Sequence, residues 1–123
     1  MARVTANRPI QIAEAAVVRT MLLQAPVAPG YAHLVDTIES LRVIDRCACG
    51  CDSVDFAKTD SINRSTLLAD GIGLTPKGGQ VGVIVWGRVD AVTGLEVYDL
   101  GAGDDDIRLP VLQSIRPFGA SAV

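Results

Sequence analysis

The order of apolar and polar positions divides the chain into a helical first third and a strand-rich remainder. From Ile10 to Gln24 it reads IQIAEAAVVRTMLLQ, which is dense in good helix formers. The polar residues Gln11, Glu14, Arg19 and Thr20 do not gather on one face. A helix apolar on most sides is covered on more than one side. Either the sheet and a second helix cover it, the arrangement favoured by intrachain burial, or a second copy of the chain does. Pro9 suits a first helical turn, with Asn7 as the nearby cap. Residues 1–8 read as a loose polar lead-in.

The segment APVAPG, residues 25–30, ends this helix. Tyr31 to Ser40 then places Leu34 and Ile38, followed by Leu41, on one helical face. His33 lies on this second helix. Leu41 to Ala48 reads as a strand with Leu41, Val43 and Asp45 on one face and Arg42, Ile44 and Arg46 on the other. Cys51 to Ala57 reads as the next strand, and Cys49-Gly50 links the two as an antiparallel hairpin.

Residues 58–80 read as loop apart from the short apolar run TLLA. Their glycines do not form a phosphate loop, because that pattern leads into a helix and this one leads into a strand. Val81 to Val89, VGVIVWGRV, is apolar almost throughout and reads as a central strand covered on both faces. Asp90 to Gly94 supplies a hairpin loop and Leu95 to Leu100 the last strand. Asp104, Asp105 and Asp106 read as a solvated acidic loop, without the spacing of a calcium site. A short helical turn is expected between Pro110 and Pro117. The fold expected is α+β: a single domain over residues 1–123, with two N-terminal helices packed on a mostly antiparallel sheet of about four strands.

Composition narrows the partners. The 123 residues are 49% hydrophobic and 20% charged, which is a globular balance. Only 4% are aromatic, so Val, Ile, Leu and Ala carry the core. A net charge of −3, with no basic cluster, argues against a nucleic-acid partner. No apolar run approaches the ~18 residues of a membrane helix. Three cysteines without a secretory signal suit a reducing cytoplasm.

The unusual chemistry sits in RCACGCDSVDF, Arg46 to Phe56, where Cys47, Cys49 and Cys51 are each separated by a single intervening residue. Residues two apart in a strand are about 6.6 Å apart on one face, too far for a disulfide. Two thiolates at this spacing can lean toward one metal ion such as zinc, with Zn–S bonds of about 2.3 Å. Three sulfurs leave a structural zinc site one ligand short. The only histidine, His33, is the candidate for the fourth. Buried structural thiols are the competing reading, since free cysteine packs as a small apolar residue. Reactive thiols are the third, with Arg42 and Arg46 nearby to lower a thiolate pKa.

The chain resembles a family of small bacterial proteins without an assigned activity. The resemblance rests on Pro29-Gly30 with Leu34, on the C-x-C-G-C-x-S-V-x-F motif from Cys47 to Phe56, and on Gly94-Leu95-Glu96-Val97. It spans most of residues 20–100 and implies an order of elements, but nothing catalytic. No catalytic set is visible: a Cys–His or Ser–His pair must use His33, and Ser53 and Asp55 share no constellation with it. The expectation is a small binding module with a second copy of the chain as candidate partner. The alternative is a metal-binding or thiol-sensing protein working through the three cysteines.

Overall fold

In the computed structural model, residues 3–58 and 65–119 are described. The fold is α+β, with two helical segments packed against an antiparallel sheet. Strands β1 (Arg3–Pro9), β2 (Arg42–Cys47), β3 (Val54–Asp55), β4 (Thr66–Leu74), β5 (Gln80–Arg88), β6 (Ala91–Asp99) and β7 (Arg116–Pro117) form one sheet in the order β1-β2-β3-β6-β5-β4-β7. Seven strands replace the expected four.

The added strands are those with weak apolar alternation. β1, RVTANRP, is mostly exposed and pairs with β2 from Arg3↔Cys47 to Pro9↔Arg42. Charged residues and a proline are what a guarded sheet edge carries, so the segment lacks the marks of a buried strand. Pro9 therefore closes β1. The helix α1 (Ile12–Gln24) is capped by Gln11, and the Glu14 carboxylate accepts the Gln11 backbone N–H at 2.9 Å. Arg8 donates two 2.9 Å hydrogen bonds to the same carboxylate, tying β1 to the helix start.

β4, TLLADGIGL, crosses ground expected to be loop; residues 59–64 of that expected loop lie outside the described residues. Its glycines hide the strand, and close packing requires them. A Cβ at Gly73 would lie 2.6 Å from Pro110 Cβ, and one at Gly71 would lie 3.0 Å from Met21 Sδ. The last hairpin is also tighter than expected. β6 begins at Ala91, so Val89-Asp90 makes the turn and Gly94 lies inside the strand, opposite Trp86 and Asp55.

β5 and β6 are the expected middle of the sheet. Val81, Val83 and Val85 are fully buried, and Leu95 and Val97 nearly so. α1 packs on β4 and β5 through Val17, Val18, Met21 and Leu22, and a 3₁₀ helix (Ala32–Ser40) packs against α1. The sheet and the second helical segment thus cover one side of the apolar helix within the chain, while Ile12 and Leu23 stay exposed. Leu34 and Ile38 are buried, as their spacing predicts. The segment winds as 3₁₀ rather than α, with Leu34 N–H donating to Tyr31 O and Leu41 N–H to Ile38 O. Thr37 and Ser40 hydroxyls donate to the carbonyls three residues back, which suits this tighter winding. The short helical turn expected before Pro117 is present at Leu112–Ser114. No helix among the described residues is long and apolar enough to cross a membrane.

Gly87 is the tightest strand glycine facing backbone on the core side. A Cβ there would stand 2.5 Å from the Ala91 carbonyl oxygen and 2.4 Å from Leu68 Cδ1. The Gly87→Ala variant is expected to lose about 1–3 kcal/mol of stability by overpacking, measured by urea unfolding. An unchanged midpoint would contradict this packing.

Candidate metal centre

The hairpin joining β2 to β3 holds all three cysteines, but only Cys47 belongs to a strand. The expected strand from Cys51 to Ala57 shrinks to Val54–Asp55, paired as Asp45↔Asp55 and Arg46↔Val54. Residues 48–53 form a loop that folds the sulfurs inward. Gly50 supplies the reversal with φ +88°, a conformation that side chains with a Cβ rarely adopt. Its N–H donates to Cys47 O at 3.4 Å, and the Cys47 N–H donates to Ser53 O at 3.2 Å. A strand would spread the sulfurs at intervals of about 6.6 Å. The turn instead brings all three within 4.8 Å of one another.

Contacts distant in sequence fix this turn. The Ser53 hydroxyl donates to Val97 O at 3.1 Å and accepts the Val97 N–H at 2.9 Å, locking the loop's exit to β6. The Asp52 carboxylate accepts the Leu109 N–H at 2.7 Å, and its own N–H donates to Ile107 O. Arg108 donates to Gly50 O at 2.7 Å and to Asp52 at 3.3 Å. Asp52, Ser53 and Arg108 are thus part of the site's frame. Their partners lie more than 40 residues away, and no local pattern announces them.

The three thiols differ in environment. Cys47 is buried, Cys51 half-buried and Cys49 exposed, and none of them is in a disulfide. Backbone N–H groups point at two of the sulfurs, from Cys49 to Cys47 Sγ at 3.4 Å and from Cys51 to Cys49 Sγ at 3.3 Å. Burial pushes the Cys47 thiol up to about 11, and the hydrogen bond it gives to Cys49 reinforces that. The same bond, with others from the Cys51 thiol and the Cys51 N–H, lowers Cys49 to about 7. The outermost sulfur is therefore more readily ionised than the buried Cys47, with the two other thiols as donors to it. Such a cluster can hold a metal ion on its three sulfurs.

His33 is not with them. Its Nε2 lies 2.9 Å from the Val89 carbonyl oxygen, at the turn between β5 and β6. The cysteine loop is anchored at Val97, and Ala91 to Val97 is about 20 Å of extended chain. The expectation of His33 as fourth ligand is corrected by this placement: the second helical segment packs toward the opposite end of β6. Among the described residues the cluster holds Cys47, Cys49 and Cys51 only. Of the two arginines expected beside the thiols, Arg42 is engaged with Asn7 at 2.9 Å and Arg46 is exposed, and neither contributes to the lowering of Cys49.

No protein-family model, curated protein or solved structure matches the chain.

Alkylation by iodoacetamide should begin at Cys49, with a rate that rises with pH and is half-maximal at about 7. Cys47 should react only on unfolding. Cys47→Ala removes the leading hydrogen bond and should move the Cys49 midpoint toward the ordinary thiol value of about 8.5. Peptide mapping by mass spectrometry across pH reads both. Equal reactivity of the three thiols in the folded protein would contradict the arrangement.

Proposed function

We propose that this protein binds a thiophilic metal ion through Cys47, Cys49 and Cys51 and acts as a metal-binding or thiol-sensing protein. The observation that carries this reading is the convergence of the three sulfurs within 4.8 Å. Tetrahedral Zn–S bonds of about 2.3 Å would place sulfurs about 3.8 Å apart, so little contraction is needed. A buried structural role would account for Cys47 alone. It gives no reason for a second, exposed thiol aimed at the first and a third aimed at both.

The donor set has the chemistry that an ion of this kind requires. Sulfur ligands select soft and borderline ions over magnesium or calcium. Binding displaces protons, so affinity rises with pH. Cys49, whose thiol is lowered and which is exposed at the rim, offers the entry point. Cys51 and then Cys47 follow as the ion moves inward. The N–H groups of Cys49 and Cys51 remain as donors to bound thiolates. They orient the sulfurs as outer-shell groups do around other metal centres.

Zinc is one ion this donor set can hold, with its fourth position left to solvent. Cadmium serves as the spectroscopic probe, because its thiolate complexes absorb in the ultraviolet. Titration of the reduced protein should saturate at one cadmium per chain. Replacing all three cysteines by serine should abolish the signal, whereas His33→Ala should leave affinity unchanged. Asp52→Ala, which loosens the loop, should weaken binding about 10–100-fold, the usual cost of an outer-shell loss. No cadmium signal from the fully reduced protein would overturn the reading.

A further inference from the structure

The shape and charge of the cluster select among thiophilic ions. All three sulfurs belong to one turn, closed by the Gly50 N–H on Cys47 O. They therefore approach an ion from one side. No fourth Cys, His, Asp or Glu joins them among the described residues. The nearest oxygen donors in sequence are engaged elsewhere: Asp52 with Leu109 and Arg108, and Ser53 with Val97. The fold thus presents a one-sided, three-sulfur cap.

Charge gives the second criterion. Three thiolates on a monovalent ion carry a net −2, on a divalent ion −1, and on a trivalent ion zero. Cys47 is fully buried, and an uncompensated charge beside a buried sulfur is costly. Of the cationic groups near the loop, Arg108 bonds Gly50 O and Asp52, Arg3 pairs with Asp55 at 3.2 Å, and Arg46 is exposed on the strand face opposite Cys47. A neutral three-thiolate complex suits this environment best.

Resting on the metal reading above, we infer that the preferred cargo is a trivalent, three-coordinate ion of the arsenite class, taken up as its neutral hydroxide. Arsenic(III) and antimony(III) form pyramidal complexes with three thiolates and keep a lone pair on the remaining side. That geometry matches a cap that offers nothing opposite its sulfurs. Uptake is a ligand exchange without redox change. Three As–O bonds break and three As–S bonds form. Each departing hydroxide takes one thiol proton, so As(OH)₃ and three thiols give As(SR)₃ and three waters. Exposed Cys49 makes the first exchange and buried Cys47 the last.

The test titrates the reduced full chain with arsenite, zinc and cadmium in parallel. Native mass spectrometry gives the adduct, and a thiol reagent counts the cysteines left unprotected. The expected adduct is one arsenic less three hydrogens per chain, with all three thiols protected. Half-protection should need at least about tenfold less arsenite than zinc. Cys51→Ser, checked for folding by circular dichroism, should lose the arsenic adduct. Protection of only two thiols, or zinc binding as tightly as arsenite, would overturn the trivalent assignment. If cadmium binds and arsenite does not, the ion class falls and the metal reading stands. If neither binds, both fall.

Discussion

The site depends on a turn held at both ends. Cys47 N–H closes it on Ser53 O, and Ser53 in turn spans both backbone groups of Val97. Asp52 draws the far side onto Leu109 and Arg108. A free loop with a glycine at its centre would lose backbone entropy of about 1–2 kcal/mol per residue when an ion gathered its sulfurs. Here folding has already met that cost, so an ion would meet donors close to their final places.

The sheet supplies the anchor. β6 is clamped to β5 by a register that runs from Val81↔Asp99 to Arg88↔Ala91, and Val97 lies inside it. β5 is packed through its fully buried Val81, Val83 and Val85 and by helix α1, and β6 through the nearly buried Leu95 and Val97. The cysteine loop is therefore fixed by the most buried part of the core, although it projects from the rim. Its second anchor, residues 107–109, leads into the tail. That tail returns to β4 through Val111 N–H on Leu74 O and through β7.

Sequence patterns disclosed the parts of this arrangement that local chemistry dictates. VGVIVWGRV could only be a buried strand, and the three cysteines around Gly50 marked a turn with unusual chemistry. The apolar stripe of Leu34 and Ile38 gave the second helical segment, though not its 3₁₀ winding, which depends on hydroxyl bonds from Thr37 and Ser40. β1 and β4 were hidden for opposite reasons. One is a charged edge without an apolar face, and the other carries glycines demanded by Met21 and Pro110. His33 illustrates the limit on the site. Its residue type suggested a ligand, but its direction is set by which end of β6 the helical segment meets, and no spacing encodes that. The clamp of Asp52 on Leu109 was beyond reach for the same reason.

The chemistry follows from a gradient. An exposed thiol that ionises near neutrality leads to a buried one that resists ionisation, and both face the same small volume. X-ray absorption at the metal edge of the loaded protein tests this convergence most directly. The account predicts a first shell with three sulfur scatterers and no imidazole signature. A shell with histidine nitrogen, or with one or two sulfurs, would contradict it.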